Sequence, residues 1–427
     1  MHEEDTPQGI KQQFPLLKYC CAFALLLLAL AVLAVVLLVR SFTPPELTGD
    51  PIEIAWQFKI SGSTNARVQD ISDKGDLLLG VGGTIRVVSQ SGEVIAEIKD
   101  PGDEDAAYLQ FAPGDRIYAA THAGQLYCLD YSGNILWSEY LCGKFGVMNA
   151  QQQCNCHCCM IAVRSDGNVV AVGGSGDAGV FSPEGEALEG FHAPQHFYHS
   201  ELMVLLTDEI FAAADDDDTV YVYTTAGELL GSYASDGMNV AYAARGDGGL
   251  LICLDGSQVI AIGRDGKELW RYGGKKVASL YPSYTPVYLA TGLPDNASVV
   301  MTDKHLTLLS DDGKQVWRKK LGGEGDDCYV NGRYIDCIIR QAGGPLDFDL
   351  LMDLTAKFDR PRYLVRYDLT GEEVATWALP PRTWEVYGPG PEGEYYTHQD
   401  DERSEFPTYY PVDFMRVELP ATVSTDG

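Results

Sequence analysis

Basic residues are scarce in this 427-residue chain: 31 Lys and Arg stand against 61 Asp and Glu, a formal net charge of −30 at pH 7. Within residues 1–40, Lys11, Lys18 and Arg40 balance Glu3, Glu4 and Asp5, so the whole deficit of positive charge lies beyond residue 40. A surface this acidic repels phosphate backbones and anionic headgroups, which argues against nucleic acid as a partner. Nucleotide-loop chemistry is missing as well. GSGDAG at 174–179 satisfies a GxGxxG string, yet it lies inside a hairpin with no helix following to receive a phosphate.

What is present is one phrase that keeps returning. It is clearest as CLDYSGNILW at 128–137, a strand, a Gly-centred turn and a second strand. Its turn glycines are Gly92, Gly133, Gly185, Gly227, Gly266, Gly313 and Gly371, spaced by 39 to 58 residues. A period in that range, with one hairpin per period, predicts a β-propeller or a related array. Outer strands are expected at 53–60, 93–99, 134–141, 186–192, 228–234, 267–272, 314–321 and 372–379. The first has no partner hairpin before it, and the last three strands, 383–388, 394–399 and 412–419, have no fourth after them. Joining the two ends completes a blade, closes the ring and removes its open edges. The expected fold is therefore all-β: an eight-bladed propeller over 53–419, averaging about 46 residues per blade, with a tail at 420–427.

The phrase Leu129, Asp130, Gly133, Trp137 resembles the tryptophan-docking repeat of quinoprotein-like (PQQ-like) propellers. That family includes pyrroloquinoline quinone dehydrogenases and many non-catalytic binding and assembly proteins. Trp137, Trp270 and Trp317 stand four residues after their glycine and Trp377 six, whereas other copies carry Ala96, Glu189, Gly231 or Ala375 in that slot. Read from the residues alone, such tryptophans wedge one blade against the next. The resemblance implies the fold; the calcium-binding and catalytic carboxylates of the quinone enzymes match no motif here.

Ahead of the propeller, residues 20–39 carry no charge. Twenty helical residues span about 30 Å, the thickness of bilayer hydrocarbon. The run ends in LLVRSF rather than at a small-residue cleavage site, which predicts an uncleaved signal anchor. Lys11 and Lys18 before it, against Arg40 after it, place 1–19 in the cytoplasm and the acidic domain outside. The expected location is the cell membrane, single-pass, with the propeller extracytoplasmic. Residues 40–52, rich in proline, read as a short linker. Because strand 53–60 starts on the face of the short Gly turns, the chain is expected to enter there, leaving the irregular loops on the membrane-distal face.

Several of those loops are candidate sites. The crossing 142–159 holds Cys154, Cys156, His157, Cys158 and Cys159, and the next one carries His192, His196 and His199. Thiolate and imidazole suit a transition metal, but the same cysteines equally suit disulfides or plain thiols. By the quinoprotein resemblance, the adjacent Cys158 and Cys159 match one feature of some quinone enzymes, a disulfide between neighbours over the cofactor. Asp215–Asp218 offer calcium-type oxygens or simply a solvated acidic turn. Cys328 and Cys337 flank an Asn-Gly turn and could bond diagonally, although a two-residue turn is not expected to set them directly opposite. Two long insertions, 341–361 and 399–411, bring Leu350, Met352, Phe358, Tyr409 and Tyr410, and the crossing 281–288 brings Tyr281 and Tyr284, as candidate partner contacts. The leading expectation is a non-catalytic binding or assembly protein for a protein, peptide or cell-envelope ligand, without a cofactor. The alternative is a metal- or quinone-dependent redox protein centred on the Cys/His rim.

Overall fold

The computed structural model describes residues 47–60, 66–81, 83–99, 106–141, 144–145, 159–197, 203–215, 217–234, 239–254, 258–273, 287–341, 360–381, 383–400 and 412–419. Residues 20–39 fall outside these, and among the described residues no helix is long and apolar enough to cross a membrane.

Eight antiparallel sheets make the ring. Blades 1 to 7 cover 67–99, 106–140, 159–192, 203–234, 239–272, 287–320 and 324–378, each contributing four consecutive strands. Blade 8 is assembled from both ends: Thr383–Tyr387, Tyr395–Asp400 and Val412–Glu418, with Glu53–Ile60 as its outer strand. The closing pair runs antiparallel from Glu53 opposite Glu418 to Ile60 opposite Val412. The expected ring closure is met, and the strand limits differ from the sequence reading by a residue or two.

Burial follows from this geometry. The second and third strands of a blade are covered on both faces by neighbouring blades, so they read as continuous apolar runs. Val169–Gly173, Asp177–Phe181, Leu250–Leu254 and Gln258–Ile262 are buried at every position. Outer strands have one free face and stay largely exposed, as in Glu53–Ile60 and Ile135–Tyr140. Eight apolar clusters result, one at every blade boundary, including Ile60, Leu79, Tyr396 and Phe414 between blades 8 and 1. A boundary core all the way round is what distinguishes a closed ring from an open stack.

The tryptophans dock as wedges. Trp137 Nε1 donates to Pro183 O of the next blade's turn at 2.9 Å, Trp270 to Asp311 O at 2.7 Å and Trp317 to Leu369 O at 2.9 Å. Trp56 on the closing strand does the same across the joint, donating to Gln90 O at 2.7 Å. A Cβ on Gly92 would sit 2.8 Å from the Trp56 ring, and Gly92 has φ +86°, so the turn needs glycine for both space and conformation. Where the wedge is absent the blades meet differently: Phe191 packs on Gly227, and Gly231 lies directly against the Gly266 turn.

Blade 7 has no such turn to dock into, because the third and fourth strands of blade 8 come from opposite ends of the chain. A buried charge network occupies that boundary. Arg366 Nε and one terminal nitrogen donate to the two oxygens of Asp336 at 2.7 and 2.6 Å, and Tyr395 Oη donates to Asp336 Oδ2 at 2.7 Å. The Arg366 guanidinium also lies 5.3 Å from the centre of the Trp377 ring.

Two sequence expectations need correction. Residues 50–51, assigned to the linker, add a short fifth strand to blade 7, parallel to Glu373–Ala378. Just before it, Leu47 packs against Gly322 in the crossing from blade 6 to blade 7. The described chain therefore begins along the outer rim beside a blade crossing and not on the short-turn face. The reason is blade twist: outer strands lean far from the ring axis, so the end of one lies near the start of the next. The inference that the irregular face points away from a membrane loses its geometric basis.

The second concerns Cys328 and Cys337. The two-residue turn is Gly332–Arg333, one residue later than Asn331–Gly332, and Asn331 pairs with Tyr334. That slide sets Cys328 directly opposite Cys337.

Candidate functional site: the channel mouth

The first strands of successive blades run side by side around the axis, so their free edges line a central channel. Edge groups are satisfied by side chains of neighbouring strands rather than by a further strand. Asp70 accepts from its own neighbour Ile71 N at 2.9 Å and from Phe111 N of blade 2 at 2.8 Å, while Gln110 Oε1 accepts from Val163 N of blade 3 at 3.0 Å. Burial outweighs these bonds and raises the Asp70 carboxyl above its usual range.

At the end where the blade crossings lie, the channel opens into a cavity of about 860 Å³. Blades 1, 2, 6, 7 and 8 line it with Arg67, Tyr108, His122, Tyr288, Asp326, Asp327, Tyr329, Arg362, Glu385 and Tyr387. Its charges are of both signs. Asp326 holds Arg362 Nε at 2.6 Å and Arg340 at 3.1 Å. Asp327 accepts from Cys328 N at 2.8 Å and from Tyr329 Oη at 2.6 Å; desolvation nevertheless pushes its carboxyl up to about 6. Glu385 goes the other way. His398 Nδ1, 3.6 Å from Glu385 Oε2, holds that carboxyl below its usual range, and the Tyr387 hydroxyl donates to it as well. Burial raises the Tyr288 hydroxyl to about 12. Arg67 is exposed within the cavity.

A volume of this size, with aromatic faces and a few fixed charges, matches a ligand or side-chain pocket. Sequence reasoning looked to the loops and missed this lining. The available signal was acids and tyrosines on inner strands, as in EGDDCYV at 324–330 and TWEVY at 383–387, where polar groups at the free edge depart from core alternation.

Of the residues anticipated as metal ligands, Cys154, Cys156, His157, Cys158 and His199 lie outside the described residues. Cys159 opens the inner strand of blade 3 and is fully buried in the core with Tyr118, Leu126 and Phe181. His192 is half-exposed with Nδ1 3.1 Å from the buried Asp177 Oδ1, and His196 is exposed on the crossing beyond it. Among the described residues no group of three or more His, Cys, Asp or Glu is placed to hold a metal ion. Asp215 behaves as a turn residue, its Oδ1 accepting from Asp217 N and Thr219 N. Leu350, Met352, Phe358, Tyr409, Tyr410, Tyr281 and Tyr284 all lie outside the described residues.

Comparison with known proteins gives no matching family model and no matching curated relative. Solved structures do match. Saccharomyces cerevisiae Sqt1 superposes with a TM-score of 0.58 at 8% identity, covering 87% of this chain and 100% of that one. The C-terminal WD40 domain of Sif2 gives 0.56 at 11% identity, covering 88% and 100%. BamB from Moraxella catarrhalis gives 0.46 at 14% identity, covering 65% and 82%. The chain has a propeller fold. At these identities the likenesses establish that fold and nothing about ligand or chemistry.

Proposed function

We propose that this protein is a membrane-anchored, extracytoplasmic propeller that acts as a non-catalytic binding or assembly platform, taking a protein, peptide or cell-envelope ligand. The uncharged run 20–39 supports the anchor, and the acidic domain supports a partner other than nucleic acid. The observation that carries the binding role is the cavity at the crossing-side mouth. It is built from residues individual to five blades, whereas the opposite turns repeat. The full chain, displayed in detergent or vesicles and used for proteomic capture, is expected to retain a partner that Arg67→Glu and Tyr288→Ala each release by about tenfold or more, with thermal stability nearly unchanged. Undiminished capture by both variants would reject the mouth as the binding site. The purified chain is expected to be colourless and indifferent to chelator; stoichiometric metal or a quinone absorbance would overturn the non-catalytic reading.

A further inference from the structure

Cys328 and Cys337 sit on the first two strands of blade 7, Glu324–Asn331 and Tyr334–Arg340, and are directly opposite. Antiparallel partners alternate between hydrogen-bonded pairs and closer non-hydrogen-bonded pairs. The two-residue turn makes Asn331 and Tyr334 a hydrogen-bonded pair, which makes Tyr329 and Asp336 the next one and leaves Cys328 and Cys337 in the non-hydrogen-bonded class. The Cys328 amide confirms this independently: it points to the channel side and donates to Asp327 Oδ1 at 2.8 Å. Non-hydrogen-bonded partners stand about 4.5 Å apart at Cα, within the span a disulfide bridges. Both side chains face the same core between blades 6 and 7.

We infer that Cys328 and Cys337 are a disulfide-forming pair that staples the inner hairpin of blade 7. The two thiols are reduced and buried in this structure, so no oxidant reaches them once the blade is packed. Burial also pushes both thiols well above their ordinary range, which keeps thiolate scarce in the folded state. The bond therefore forms while the chain folds. A small-molecule disulfide such as oxidised glutathione supplies the chemistry. One cysteine, as thiolate, attacks it and releases one glutathione thiolate. The other then displaces the second glutathione from the mixed disulfide. Two protons and two electrons leave the cysteines and are carried by two reduced glutathione molecules. The staple holds in place the hairpin that carries Asp326, Asp327 and Tyr329 to the channel mouth, but it does not depend on any ligand binding there.

Refolding the full chain with reduced and oxidised glutathione, then alkylating it in denaturant and mapping peptides, tests the pair. A cross-linked peptide joining 328 to 337 is expected. Recovery of both as alkylated thiols, or of Cys328 joined to any other cysteine, overturns the inference. Protein refolded in reductant throughout should melt a few degrees below protein refolded with oxidised glutathione, about what a ten-residue closed loop contributes, whereas the two preparations of the Cys328→Ala/Cys337→Ala double variant should melt alike. Equal shifts in both proteins would also overturn it. If the double variant fails to fold, the peptide map of the unaltered chain still decides.

Discussion

The outer and inner strands of this propeller solve opposite problems with different residues. Outside, a bulky ring presses on a glycine turn of the next blade, and the same device recurs at Trp56, Trp137, Trp270 and Trp317. Inside, the free edges of the first strands are tied together by particular side chains: Asp70 between blades 1 and 2, Gln110 between 2 and 3, and Tyr329, whose hydroxyl can donate either to Asp327 or, across the boundary, to Val386 O of blade 8. Repetition can supply stability, because one device, a ring on a glycine turn, serves at four separate boundaries. Recognition requires that the repeat be broken, and it is broken at the channel mouth. The boundary between blades 7 and 8 joins both regimes, since a charge network replaces the missing wedge there.

Substitutions can sharpen this contrast. The largest effect is expected at Asp336→Leu, which leaves Arg366 buried without its carboxylate and should cost about 3–5 kcal/mol in a denaturant titration. Trp56→Ala follows. It removes the wedge across the joint that closes the ring and should cost about 3 kcal/mol by the same measurement. If Trp137→Ala, away from the joint, proves much less costly, the docking sites are not equivalent and the contrast between repeated and individual regions weakens.

Asp327 should reveal itself through pH. Its carboxyl, at about 6 in the fold against 3.8 unfolded, binds more protons when folded across that interval. Stability therefore falls as pH rises from about 4 to about 6, the reverse of an ordinary salt-bridged aspartate. Comparing Asp327→Asn with the parent by urea denaturation at pH 4 and pH 7, the difference should move in favour of the variant at pH 7. A shift the other way would mean that its hydrogen bonds outweigh desolvation. The smallest effect is expected at the exposed outer surface. Leu136, 47% exposed on its outer strand, should tolerate serine within about 0.5 kcal/mol.

Much of this architecture was legible along the chain because a propeller blade is local. A strand, a turn glycine and a second strand lie within ten residues, and each positive-φ glycine, such as Gly133 at +84°, leaves a mark that can be read in the chain. Even the ring closure could be read, since one unpaired strand at 53–60 and three at the other end leave a single consistent assembly. The channel mouth was not legible. Arg67, Tyr288 and Glu385 are more than 300 residues apart at the extremes and meet only because blades 1, 6 and 8 share an axis.

The sequence by itself determined the number of blades, the strand limits and the joint, because these depend on short-range turn chemistry and on counting. Tertiary structure alone decided that Leu47 lies beside a crossing and that Cys328 faces Cys337. It also decided which acids share the channel. Blade twist, a one-residue slide of a turn and the meeting of distant inner strands are settled by packing around the ring, and packing acts between residues that no local pattern connects.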